Sequence, residues 1–192
     1  IKVLAMEQPL VKAVISDELT IISDELNQLF SVSLQGLQAL GQGDFHKKQS
    51  LQQSALEVKD FDLRRLGAFL ALGVCRWNCS EIEIFLNEAI LQNRVSFSVK
   101  LTNYLSFQNI QIELIRFVQL HDKHYLLVSL TNGFLLAFSI YESVLDTLTK
   151  PNIAGILLEM NMVRLANVFK VGTYIHSIYE DRTKRFVILG SQ

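Results

Sequence analysis

The sequence predicts an all-β fold made of antiparallel, four-stranded, blade-like units. Three observations lead there. A strand-like run, a short polar turn and a more apolar run recur three times, at offsets of about 55 to 60 residues. Several runs alternate polar and apolar residues with period two, as a strand with one wet face does. The composition is that of a packed domain: 49% hydrophobic and 19% charged, with two prolines and nine glycines in 192 residues, which excludes a collagen-like or disordered chain.

At the N-terminal end, residues 11–15, 19–22 and 29–34 read as short strands. Residues 23–40 also admit a helix, with Leu26, Leu29, Phe30, Leu34 and Leu37 on one side. The alternation of Phe30, Val32 and Leu34 with serines favours strands. Residues 41–53 are polar and read as a loop. Gly41-Gln42-Gly43 has no flanking strand and helix, so it lacks the setting of a phosphate cradle.

The three repeats follow. They pair residues 56–63 with 67–74, 112–118 with 125–130, and 174–179 with 185–190. Their expected turns are Arg64-Arg65, His121-Asp122-Lys123-His124 and residues 180–184, charged as turns at a solvated edge should be. Glu81-Ile82-Glu83-Ile84 and residues 95–101 alternate cleanly and extend the first repeat by two strands. Asn132-Gly133 predicts a two-residue hairpin turn with positive φ at both positions, leading into residues 134–140. The inner runs Leu70-Ala71-Leu72 and Leu126-Leu127-Val128 are apolar on both faces, as inner blade strands packed between neighbours must be. Residues 153–171 are the least readable stretch and admit two strands or a helix.

These elements amount to antiparallel four-stranded blades of an incomplete β-propeller. The units lie near residues 11–40, 55–101, 110–160 and 173–192 of one propeller domain. At about 40 to 50 residues per blade the chain supplies roughly four, too few to close a ring. The chain opens at Ile1 rather than Met, as expected of a fragment or a processed product.

The chemistry of the sequence is sparse. Formal net charge is −1, so no global basic field attracts nucleic acid. Cys75 and Cys79 are the only cysteines, too few for a disulfide scaffold and best suited to a reducing compartment. Asn78-Cys79-Ser80 matches a glycosylation sequon, a triplet that also arises by chance. The strongest apolar stretch, residues 125–141, is interrupted by Thr131-Asn132-Gly133, so no run is long enough to span a bilayer.

No Walker loop, dinucleotide fingerprint or nucleophile elbow is present. His121, Asp122 and His124 could form part of a metal site only with further ligands; the alternative is a solvated turn. His176 lies on a strand and is expected in the core. The pairs Asp60/Asp62 and Glu81/Glu83 each share one strand face and are expected to be wet. Trp77, the only tryptophan, sits at a turn tip beside Arg76. Both residue types are enriched at binding hot spots, so Arg76 and Trp77 are the candidate partner-binding residues; the alternative is an indole folded back on its own blade.

Leu70-Ala71-Leu72-Gly73, Trp77 and Ser80-Glu81-Ile82-Glu83-Ile84 resemble a blade of the large subunit of the damaged-DNA-binding complex. Residues 124–138, His-Tyr-Leu-Leu-Val-Ser-Leu-Thr-Asn-Gly-Phe-Leu-Leu-Ala-Phe, look like its following blade. Residues 174–190 are similar to the point where that protein's middle propeller runs into the next. The superfamily includes the large subunit of the cleavage and polyadenylation specificity factor, the propeller subunit of splicing factor 3b, and fungal cullin adaptors. The segment between residues 140 and 171 is shorter than the superfamily's equivalent.

The resemblance implies a non-enzymatic scaffold without cofactors. It implies a cullin-type ubiquitin ligase adaptor in the DNA damage response or, alternatively, a scaffold subunit of a pre-mRNA processing complex. The implied partners are a cullin arm or processing-complex subunits. Nucleic acid would be met only through the assembled complex, and no membrane is involved. The implied location is the nucleus, with a cytoplasmic pool also compatible. A metal-dependent enzyme is the remaining alternative.

Overall fold

The computed structural model describes residues 10–15, 20–24, 29–33, 36–39, 58–67, 69–88, 94–106, 110–141 and 162–191. The chain divides into two compact units, Ile1–Val58 and Lys59–Gln192. In the first, β1 (Leu10–Ile15), β2 (Thr20–Asp24), β3 (Leu29–Ser33) and β4 (Gly36–Ala39) form a four-stranded antiparallel meander. The serine-spaced alternation of β3 therefore belongs to a strand and not to a helix. β4, in register with β3 from Phe30↔Ala39 to Ser33↔Gly36, has no counterpart in the sequence reading.

The second unit holds two further four-stranded meanders. One is β5 (Val58–Leu66), β6 (Phe69–Arg76), β7 (Glu81–Glu88) and β8 (Arg94–Lys100). The next is β9 (Ile112–Leu120), β10 (Lys123–Leu130), β11 (Phe134–Ile140) and β12 (Val163–Lys170). A two-stranded sheet, β13 (Ile175–Glu180) with β14 (Val187–Ser191), completes the described part. A short 3-10 turn, η1 (Leu101–Asn103), follows β8 and buries Leu101. The third sheet reaches Lys170, past the limit near residue 160 that the sequence suggested.

Period-two patterning explains the packing. On β6 and β7 the directly opposed pairs Ala71/Leu86 and Cys75/Ile82 turn to one face, and Ile84/Phe97 and Ile82/Val99 carry that face onto β8. It meets Ile115, Phe117, Leu126, Val128, Leu136 and Phe138 of the third sheet in one core. Gly73 stands in the middle of this interface. A Cβ there would lie 3.0 Å from Phe117 Cε2 and 3.2 Å from Ile115 Cδ1, so glycine allows the two sheets their close approach. The other face of the third sheet, Leu114, Val118, Leu127, Leu135 and Ala137, packs on Ile175 and Ile178 of β13.

Several turns differ from the sequence expectation; Lys123 and His124, expected in a turn, begin β10. Arg64 and Arg65 lie inside β5, and the chain turns instead at Gly67, whose φ of +57° suits a residue without a Cβ. The Leu130–Phe134 connection has three residues. Ser129 pairs with Leu135, the Gly133 amide bonds Leu130 O at 3.1 Å, and only Gly133 carries a positive φ, +80°. That is a turn closed by a left-handed glycine, the usual three-residue solution, and not a two-residue loop. In the β6–β7 connection Asn78 supplies the left-handed position at φ +58°, which asparagine tolerates better than most residues. Cys75 and Arg76 belong to β6, so this turn is confined to residues 77–80.

Candidate interaction surface

The first strands of the three sheets in the second unit, β5, β9 and β13, are cross-linked by polar contacts at nearly constant offsets. Asp60 Oδ2 accepts the Ile115 amide at 2.9 Å, Asp62 Oδ2 accepts the Phe117 amide at 2.6 Å, and Arg64 Nη2 donates to Gln119 Oε1 at 3.4 Å. Each step spans 55 residues. Between β9 and β13, Glu180 Oε2 accepts the Gln119 amide at 2.6 Å, an offset of 61. An offset that stays fixed along both strands means that they run in the same direction.

Alternate amides of β9 thus face away from β10 and would lack partners; carboxylates from the strands on either side take that role. Asp60 and Asp62 are 7% and 9% exposed. The expectation of a wet face is therefore overturned for this pair. A carboxylate is tolerated in so dry a place because it is hydrogen-bonded, and a buried amide needs such an acceptor. Arg116 Nη1 adds a 2.8 Å contact to Asp60 Oδ2. At the far end Arg64 pairs with Glu180 at 2.9 Å, and Lys184 Nζ reaches Gln119 Oε1 at 2.6 Å. The only trace of this in the sequence is two acids two residues apart within the apolar run Val58, Phe61 and Leu63.

The opposite end of the ladder carries two exposed aromatics, Trp77 and Tyr174. Lys59 Nζ pairs with Glu113 Oε2 at 2.7 Å and lies 4.6 Å from the centroid of the Trp77 ring. Glu113 also accepts the Tyr174 hydroxyl. That hydrogen bond, with a smaller contribution from burial, holds the Tyr174 phenol above its ordinary value of 10.0. Trp77 is 47% exposed and Tyr174 39%. Lys59, a cation of the same sheet, lies over one face of the indole, which stays about half exposed.

Arg76 is placed differently. It is 5% exposed, and its Nη2 bridges Glu83 Oε2 on β7 at 3.0 Å. Of the two candidate residues, Trp77 presents itself outward and Arg76 braces the strand pair beneath it. Cys79, in the same turn, has its thiol pushed up by burial and then by the nearby Glu81, which suppresses the reactive thiolate.

His121 and Asp122 form the exposed β9–β10 turn, with His121 at φ +52° and its amide on Lys184 O at 2.6 Å. His124 and Asp122 line a shallow cleft of about 330 Å³ with Tyr125 and Tyr141. Among the described residues no group of three His, Cys, Asp or Glu side chains is placed to hold a metal. His176 is exposed on β13, against its expected place in the core.

Solved structures similar to this chain include two propeller-type domains. The Cps50 (Swd1) β-propeller domain of Myceliophteria thermophila superposes with a TM-score of 0.58 at 13% identity, over 97% of this chain and 54% of that one. The WD40 domain of SCAP from fission yeast gives a TM-score of 0.47 at 12% identity, over 90% of this chain and 36% of that one. No protein-family model and no curated protein matches the sequence. The likeness to the first structure, with the antiparallel four-stranded sheets, makes the fold a β-propeller fold; the chain spans about half that domain's length.

Proposed function

We propose that this chain forms part of one β-propeller domain that works as a non-enzymatic protein-interaction scaffold. The observation that carries the reading is the 47% exposed indole of Trp77 at a turn tip, backed by Lys59 and Glu113 and so by two sheets at once. A large ring held on a rigid frame meets a partner with little loss of side-chain freedom, which is why tryptophans of this kind dominate binding energetics.

The finer reading is a cullin-type ubiquitin ligase adaptor acting in the DNA damage response, in the nucleus. It rests on the resemblance of Leu70–Gly73, Trp77, Ser80–Ile84 and residues 124–138 to blades of the damaged-DNA-binding large subunit. The same residues support a scaffold subunit of a pre-mRNA processing complex, because the two share the superfamily. Co-purification from cells followed by mass spectrometry separates them. A stoichiometric cullin supports the adaptor, and cleavage, polyadenylation or splicing subunits support the second reading. Recovery of neither, with measurable turnover of a small substrate, overturns the scaffold itself.

A further inference from the structure

Charge is sorted between the two ends of the sheets in the second unit. At the Trp77 end the connections 77–80, 101–106, 131–133 and 171–174 contain no charged residue. At the other end lie the turns that follow β5, β9 and β13. These turns and the strand residues beside them carry Arg65, Lys123, Arg182, Lys184 and Arg185, all exposed. Asp122 and Asp181 oppose them, and Arg64 and Glu180 cancel as a pair, which leaves a net +3 there in a chain whose formal net charge is −1.

The three turns form one surface. The His121 amide donates to Lys184 O at 2.6 Å, Lys184 Nζ donates to Gln119 Oε1 at 2.6 Å, and Arg64 Nη1 pairs with Glu180 Oε2 at 2.9 Å. Arg65 Nε donates to Gly67 O at 3.2 Å, which holds the guanidinium over its own turn. Two of the carboxylates are engaged within the frame. Glu180 takes Arg64 and the Gln119 amide, and Asp181 Oδ2 accepts the amide and the hydroxyl of Thr183. Among the described residues Lys123, Arg182, Lys184 and Arg185 form no ion pair. Negative charge is thus spent inside the frame while positive charge faces water, so the local field is not cancelled. Turn tips lie beyond the ladders, and strands that pair alongside a sheet do not cover them.

We propose that this basic turn surface binds an acidic segment of a partner protein, an extended stretch rich in aspartate and glutamate. Charge complementarity of this kind steers encounter and selects the partner. The cations sit on three separate turns, with the exposed Asp122 between them. A polypeptide can space its carboxylates to suit that arrangement, whereas a nucleic-acid strand presents phosphates at a fixed repeat and calls for a continuous basic groove. The surface lies at the end opposite Trp77, so a scaffold can hold two partners at once.

The test uses the full chain and a labelled poly-glutamate peptide, with a poly-serine peptide of equal length and a single-stranded oligonucleotide of equal charge as comparators. Anisotropy should show saturable binding of poly-glutamate that weakens as salt rises, and none of poly-serine. Amide exchange should slow at residues 121–123 and 181–186. The variant Arg182→Glu with Arg185→Glu changes two exposed side chains, so its melting temperature should stay near wild type while binding falls at least tenfold. Lys170→Glu, an exposed position at the Trp77 end, and Trp77→Ala should leave binding unchanged. Absence of saturable binding overturns the proposal, as does an equal loss from Lys170→Glu, which would mark a response to net charge alone. Tighter binding of the oligonucleotide, lost in the same double variant, overturns it in favour of nucleic acid.

Discussion

The Asp62 carboxylate accepts the main-chain amide of Phe117 at 2.6 Å, joining two strands 55 residues apart whose own sheets do not share a ladder. The contact settles an edge amide of β9 that no strand pairs. Removing the acceptor leaves that amide buried and unsatisfied, at a cost of about 1–3 kcal/mol. Asp62→Ala should lower stability by that amount and Asp62→Asn by less, since its amide oxygen still accepts. Denaturant midpoints measure the loss, and faster exchange of the Phe117 amide locates it. An Asp62→Ala protein with wild-type stability would show that the contact contributes nothing.

Gly73 makes a second prediction, about packing between sheets. With Phe117 Cε2 3.0 Å and Ile115 Cδ1 3.2 Å from its Cβ position, a branched side chain cannot enter without moving a buried phenylalanine. Gly73→Val should destabilise by about 1–3 kcal/mol through overpacking. Combining it with Phe117→Leu should recover part of the loss, as expected of sites in contact. Strict additivity of the two changes would argue that the strain lies elsewhere.

These two sites also mark how far the sequence could be read. The period-two run Glu81–Glu88 and the continuously apolar run within Phe69–Arg76 show themselves because each strand's burial follows its own residues. Asp60 and Asp62 do not, because the amides that hold them belong to β9, and a lone strand pattern carries no record of its neighbour. β12 was unreadable for a related reason. From Ala166 to Lys170 it is exposed on both faces, so no alternation is imposed on it. Arg64 and Arg65 looked like a turn because they are charged, yet Arg64 is held within β5 facing Glu180. Trp77 was legible as a candidate because it is a single large ring at a turn, whereas the side chains that support it, Lys59 and Glu113, come from two strands.

Tyr174 gives a prediction in pH. Its phenol is raised above 10.0, first by the hydrogen bond to Glu113, so the folded state prefers the neutral form more than the unfolded chain does. That preference adds stability below pH 10.0, and the contribution is lost as pH rises through the raised folded value. The stability difference between wild type and Tyr174→Phe should therefore be constant through neutral pH and shrink in the alkaline range above 10.0. A difference that grew with pH in that range would reverse the sign and rule out the hydrogen bond as its cause.

Trp77 offers the sharpest separation of structure from binding, because it is the only tryptophan and thus the only indole fluorophore. A fully packed tryptophan truncated to alanine costs about 3–5 kcal/mol. An indole 47% exposed, held by one cation at 4.6 Å, should cost far less, on the order of 1 kcal/mol for the lost cation–π contact and partial burial. As a contact for a partner the same ring should be worth about 2 kcal/mol or more of affinity. Trp77→Ala should therefore melt close to wild type while losing roughly thirtyfold or more in binding to the co-purified partner. In the wild-type protein iodide should quench the Trp77 emission, and the bound partner should shield it. Lys59→Met should change the emission without abolishing binding, since it removes the cation from one face of the ring and leaves the outward side in place. An indole that iodide quenches equally with and without the bound partner would mean that the partner does not cover it, and the interaction surface would have to be sought elsewhere on the propeller.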